Sequence, residues 1–189
     1  MNEATQILRN EHDVILRVLD ATEKIGESLE IGTEVPPHVL SNTIEFLRLY
    51  ADRRHHGKEE DSLFPELEKR GMPRGGGPVG MMLMEHQAGR SLIAQMAEAA
   101  KAYESGDREA GAQWADAALD YVALLREHIA KENNVLFVMA ERLLTPEEQQ
   151  RLASEFESVD TQKMGKSECD RLLRMAESLW GEVTGLSKA

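Results

Sequence analysis

His55-His56-Gly57-Lys58-Glu59-Glu60-Asp61-Ser62-Leu63-Phe64 and His128-Ile129-Ala130-Lys131-Glu132-Asn133-Asn134-Val135-Leu136-Phe137 share one pattern, H-x-x-K-E-x-x-x-L-F. The chain therefore carries an internal echo of a single chemical unit. On a helix, residues four apart share a face, so His55 with Glu59, and His128 with Glu132, each offer a nitrogen and an oxygen side by side. An exposed pair of this kind is only a weak surface ion pair, whereas a core-facing pair needs a ligand or partner to compensate it. The surroundings of His128 point to the core. Tyr121, Leu124, Leu125, Val135, Leu136 and Met139 recur around it at helical spacing.

Working outward, apolar residues recur at three and four along four stretches, about 2–28, 37–70, 79–104 and 108–144. Gly32 with Pro36-Pro37, the run Gly71 to Pro78, and Ser105-Gly106-Asp107 separate them, and a connection as short as the last implies antiparallel neighbours. After Leu144, Thr145 can cap a new helix, with Pro146 in the first helical position and Glu148 three residues after the cap. Beyond Gly165 a last amphipathic segment carries Leu172, Leu173, Met175, Leu179 and Trp180. At 189 residues, with only 5% aromatics and abundant helix formers, the chain is expected to be all-α. The expected architecture is an antiparallel up-and-down four-helix bundle over 1–144, with a C-terminal helical extension over 145–189 packing on it.

The formal net charge of -12 repels a phosphate backbone and no dense Lys/Arg stretch offsets it, which excludes nucleic acid as a partner. Met1-Asn2-Glu3-Ala4-Thr5-Gln6 lacks the basic start and apolar run of a signal peptide, and no apolar run approaches membrane-spanning length. No membrane association is expected, the sequence identifies no protein partner, and the cytoplasm is the expected compartment. The single Cys169 fits a reducing environment and reads as an ordinary helix residue. The glycines between Gly71 and Gly80 lack a phosphate-binding fingerprint and form a connector.

His86 sits among Val79, Met82, Leu83, Ile93 and Ala97, and His12 among Leu8, Ile15, Leu16 and Leu19, so each of the four helices delivers one inward histidine. One histidine on an apolar face is usually an ordinary core residue. Four on successive helices, two of them with partner carboxylates, indicate a metal site. Four imidazoles and two carboxylates exceed the needs of one tetrahedral zinc ion, and carboxylates can bridge two cations. A dinuclear site is expected, with iron as the natural occupant and manganese or zinc as alternatives.

A second pair, His56 and Glu60, lies about 100° around the helix and is expected to face a helix interface or solvent. Periodicity alone does not choose between the registers; the echo favours His55. His38 is expected in an exposed loop, and Met81, Met82 and Met84 as gap-filling core residues. Tyr50 and Tyr121 are assigned packing roles. Arg90 is open to two readings, a carboxylate partner near the centre or an ordinary interhelical ion pair.

These motifs resemble the hemerythrin family, specifically its bacterial HHE cation-binding branch. The resemblance spans about Leu8 to Leu144 and rests on Asn10-Glu11-His12-Asp13, the His55 run through Pro65, Glu85-His86-Gln87-Ala88-Gly89-Arg90, and His128 through Phe137. The last two are also similar to segments of bacterial proteins that repair nitrosatively damaged iron–sulfur clusters. The resemblance implies two iron ions in an oxo- or hydroxo-bridged centre, held by His12, His55, Glu59, His86, His128 and Glu132, with the glutamates bridging. It implies reaction with a small diatomic ligand, oxygen or nitric oxide, or with peroxide. Two departures matter: Arg90 stands where oxygen carriers place another histidine, and the cysteine-bearing domain of the repair proteins has no counterpart here. The expected function is to bind or sense oxygen, nitric oxide or iron; the alternative is an enzyme that reduces nitric oxide or decomposes peroxide.

Overall fold

A computed structural model describes residues 3–186, in which no strand occurs. The expected helix start at Asn2 and the last three residues of the expected extension lie outside the described residues. Helix α1 is Glu3–Glu30, α2 covers residues 37–69, α3 is Gly77–Glu104 and α4 covers residues 110–143. Two further helices follow, α5 over residues 146–164 and α6 at Lys166–Leu186.

Local chemistry sets these boundaries. Gly32, Gly71 and Gly106 take positive φ after α1, α2 and α3. Each lets the following residue's N–H reach back five residues, Thr33 to Ser28, Met72 to Leu67 and Asp107 to Ala102. The same C-terminal motif thus closes three helices, and glycine supplies its left-handed residue without a Cβ penalty. At the start of α5 the Thr145 side chain accepts from the Glu148 N–H while the Glu148 carboxylate accepts from the Thr145 N–H, a complete capping box.

The antiparallel order follows from how each helix crosses the interior. One apolar cluster contains Ile15, Leu19 and Ile25 of α1, Leu40 and Leu47 of α2, Ile93 and Met96 of α3, and Trp114, Tyr121 and Ile129 of α4. The other contains Leu8, Leu63, Phe64, Val79, Met82, Leu136 and Phe137. Chain direction between the clusters therefore alternates from helix to helix. A buried polar layer of His12, His55, His56, Lys58, Glu59, His86, His128 and Glu132 lies between them in sequence on every helix. Helix α4 packs along α1 and α3, α2 packs on α3, α5 lies on α1, and α6 lies on α1 and α2.

One side-chain expectation is corrected. Only Met82 is buried, whereas Met81 and Met84, about 100° and 200° around the helix from it, are exposed. On α6, Leu172, Leu179 and Val183 enter the main core, while Leu173 and Trp180 stay partly exposed, the Trp180 ring lying 4.4 Å from the Lys24 ammonium of α1. His38 is exposed as expected, but it sits in the first turn of α2 and pairs with Glu182 at 2.9 Å.

Candidate metal centre

The two long echo helices are not α-helical throughout. Leu47–His56 and Glu59–Leu63 on α2, and Glu132–Leu136 on α4, are wound as π-helix. Both echo copies therefore widen at the same place, beginning on the buried glutamate. Pro65 removes one N–H donor from α2, but Val138 occupies the matching position on α4, so proline is not the common cause. A π turn holds more residues than an α turn, so consecutive side chains diverge by less than the α-helical angle of about 100°. His55 and His56 both point inward and are buried, as are His128 and Ile129 at the matching positions of α4, where the helix is ordinary α. The same widening displaces Val135 from the inward stripe; it is half exposed.

Seven side chains form two adjoining donor sets. His12, His55, Glu59 and Glu132 make one, and His56, Glu59, His86 and His128 make the other; within each, the ligand atoms lie within 4.8 Å of one another. Glu59 divides its oxygens between them, with Oε1 3.8 Å from His55 Nε2 and Oε2 3.5 Å from His86 Nε2. Glu132 divides likewise, with Oε2 3.2 Å from His12 Nε2 and Oε1 3.3 Å from His128 Nε2. The imidazoles approach in pairs, His12 Nε2 to His55 Nε2 at 2.9 Å and His86 Nε2 to His128 Nε2 at 3.2 Å. His56 stacks on His86, with ring centroids 3.8 Å apart.

The outer nitrogens of these rings are tied down by a cycle that runs once around the bundle. Glu11 of α1 accepts from His55 Nδ1 of α2 at 3.0 Å, and Glu60 of α2 accepts from His86 Nδ1 of α3 at 2.6 Å. Glu85 of α3 accepts from His128 Nδ1 of α4 at 2.9 Å, and Asn133 of α4 accepts from His12 Nδ1 of α1 at 3.0 Å. Asp52 meets His56 Nδ1 at 3.3 Å. Each anchor is backed by a cation: Lys58 and Arg54 on Glu11, Arg90 on Glu60 and Asp52, Lys131 on Glu85, Arg9 on Asn133. A proton held at Nδ1 leaves Nε2 as the free lone pair, the arrangement that orients a metal-binding histidine.

Electrostatically, the inner carboxylates are poorly compensated. Both oxygens of Glu59 and both of Glu132 are buried and accept no hydrogen bond. Burial, reinforced by the facing Glu132, pushes the Glu59 carboxyl well above the usual carboxylate range. Burial acts the same way on Glu132, but His128 and then His12 outweigh it and hold that carboxyl well below the range. Burial, with His12 adding to it, brings His55 down to about 4, and burial with His86 holds His56 well below its ordinary value. Burial also lowers His86, whereas at His128 it is overcome by Glu132 and Glu85, which raise it. Largely neutral imidazoles and unpartnered carboxylate oxygens in a dry interior are a donor set that fits divalent transition metals.

All six residues singled out from the sequence, His12, His55, Glu59, His86, His128 and Glu132, meet in this layer. His56 joins them rather than facing an interface or solvent. Glu60 does not enter; it is an anchor of His86. The two readings of Arg90 coincide: its guanidinium on α3 spans Asp52 and Glu60 of α2 at 2.8 and 2.7 Å, an interhelical ion pair with carboxylates beside the centre. Tyr50 stacks on Phe46, and the Tyr121 ring lies over Gly89, where an added Cβ would meet it at 3.4 Å. Glu11, Glu85 and Asn133 were not singled out from the sequence, and Glu60 was singled out only as half of a second donor pair, not as an anchor. Each stands directly beside a donor, in Glu11-His12, Glu59-Glu60, Glu85-His86 and Glu132-Asn133, and that adjacency was the available signal.

Comparison with known proteins places this geometry in context. A family model described as the hemerythrin HHE cation binding domain matches residues 3–140. The chain is 24% identical over 164 residues to uncharacterized protein Rv1995 of Mycobacterium tuberculosis and, to the same extent, to uncharacterized protein Mb2018 of Mycobacterium bovis. The match covers 87% of this chain but 64% of each relative, so the chain spans just under two-thirds of the length of the curated relatives it matches. No solved structure matches the chain.

Proposed function

Because the chain belongs to the hemerythrin HHE cation-binding family, we propose that its buried layer holds two iron ions and binds or senses oxygen, nitric oxide or iron itself. One ion would be held by His12 and His55, the other by His56, His86 and His128, with Glu59 and Glu132 bridging. The observation that carries this reading is the division of each glutamate's two orphaned oxygens between two sets of imidazoles. A single ion would leave half of those oxygens unpartnered in a dry core, which is costly. Bound there, an iron pair supplies a redox-active Lewis acid able to take a small diatomic ligand or peroxide.

The chain's own residues prepare the layer for this role. The Nδ1 anchors fix the ring planes before any ligand arrives, and the apolar clusters on both sides keep bulk water out. Arg90 holds two anchors at once, Asp52 for His56 and Glu60 for His86, in place of the extra histidine of oxygen carriers. The four-helix unit over 1–144 would form the centre, and the segment 145–189 would support it from outside. No described helix is long and apolar enough to cross a membrane, and with its single thiol the protein is proposed to act in the cytoplasm.

Titrating reduced, iron-loaded protein with nitric oxide and with oxygen tests the reading. The expected result is a saturable optical change at a fixed ratio of ligand to iron pair, absent from metal-free protein. No change with either gas would overturn the gas reading and leave iron itself as the ligand. Consumption of nitric oxide or peroxide over many cycles per iron pair would replace binding by catalysis.

A further inference from the structure

Around the anchor of His55, one charge comes from outside the four-helix unit. Lys58 is fully buried, and its ammonium donates to Glu11 Oε1. Arg54 Nη2 lies 3.1 Å from the same oxygen, while Glu11 Oε2 receives the His55 Nδ1 proton. Within the bundle this leaves two cations against one carboxylate, beside a layer proposed to take up metal charge. Asp160 restores the balance from the π-wound end of α5, Val159–Met164. Its Oδ1 and Oδ2 accept from Arg54 Nε and Nη2, each at 2.7 Å, a bidentate pair. Its Oδ1 also lies 2.9 Å from Lys58 Nζ, and Phe156, one turn earlier, covers that ammonium with its ring centroid at 5.9 Å. Asp160 stands beyond the residues that the family match covers, 3–140.

We propose that Asp160 is a positioning residue for the metal centre: by engaging Arg54 and Lys58 it frees Glu11 to hold His55, so the C-terminal extension sets the orientation and electrostatics of one ligand. The proposal rests on the metal reading above. Without Asp160 the quartet of Glu11, Arg54, Lys58 and Asp160 carries one uncompensated positive charge in a dry region, where charge acts over longer distances than in water. Glu11 is then drawn toward the cations and away from His55. Loss of an outer partner of a ligating histidine typically weakens metal binding by about 10–100-fold; Asp160 acts one step further out, so a loss of about tenfold is expected.

The test compares Asp160→Asn, the double variant Asp160→Asn/Lys58→Met, and Arg151→Ala as full-length proteins. Arg151→Ala breaks a different contact of α5 with α2, its 2.7 Å pair with Glu66, and controls for simple loosening of the extension. Two readouts are used: the imidazole nitrogen resonances of His55 in metal-free protein, and the reduction potential after iron loading. Asp160→Asn should move the His55 resonances and raise the potential, because an added positive charge disfavours the ferric state. The double variant, again balanced, should return the potential toward its original value, and Arg151→Ala should leave both readouts in place. If Asp160→Asn does not fold, Lys58→Met alone leaves an excess negative charge and must lower the potential. Unchanged His55 resonances and potential in a folded Asp160→Asn protein, or equal shifts from Arg151→Ala, would overturn the proposal. Failure of the unaltered protein to take up iron would defeat the metal reading instead, and the His55 resonances would still report on Asp160.

Discussion

Replacing Glu59 by Gln should change stability in opposite directions with and without metal. In metal-free protein four carboxylate oxygens, two each on Glu59 and Glu132, are buried without a hydrogen-bond donor. Leaving a buried polar group unsatisfied costs about 1–3 kcal/mol, and more when it is charged. The glutamine amide keeps the shape of Glu59, removes one ionisable group from the pair and offers N–H donors to Glu132. A gain of about 1–2 kcal/mol is expected, which for a chain of this length raises Tm by about 2–8 °C. With iron the sign reverses. A neutral amide is a poor bridge, and a loss of about 10–100-fold in metal affinity removes about 1.4–2.8 kcal/mol from the stabilisation that binding confers on the folded state. The assay is thermal or denaturant unfolding of chelator-treated and iron-loaded protein, for the unaltered chain and the variant in parallel. A variant less stable than the unaltered chain in both states, by the same amount, would refute the reasoning, because Glu59 would then be an ordinary core residue.

Two further outcomes follow from particular contacts. His56→Ala removes the ring stacked on His86 and should lower the iron content from two toward one per chain; two retained irons with an unchanged spectrum would exclude His56 as a ligand. Gly80→Ala places a Cβ 2.9 Å from the Arg74 carbonyl oxygen, so the start of α3 must shift. It should cost about 1–3 kcal/mol by denaturant midpoint without altering iron content, and loss of iron would show that this helix start is coupled to the centre.

The legible parts of this protein are those fixed by neighbours in sequence. Helical periodicity, the Thr145-Glu148 capping box and the glycines that close α1 to α3 all act within a turn or two, and the helices start and stop close to where those signals stand. His12, His86 and His128 were legible because each interrupts an apolar stripe. His56 was not, because periodicity on α2 left both registers open and the echo favoured His55. Asp160 was illegible for a different reason. Its partners Arg54 and Lys58 lie more than one hundred positions away, and only the docking of α5 brings them together. The anchor cycle lies between these cases: adjacency to a donor marks its members, but the helix each serves is set by the order of packing around the bundle.

The central claim, two iron ions shared by Glu59 and Glu132, is tested most directly by locating the metal. Crystals of protein purified from iron-supplemented cells, with diffraction recorded on both sides of the iron absorption edge, would show the number and positions of the ions. The account predicts two iron peaks, one beside His12 and His55 and one beside His56, His86 and His128, with both glutamates between them. A single peak, or zinc alone after iron supply under reducing conditions, would contradict it.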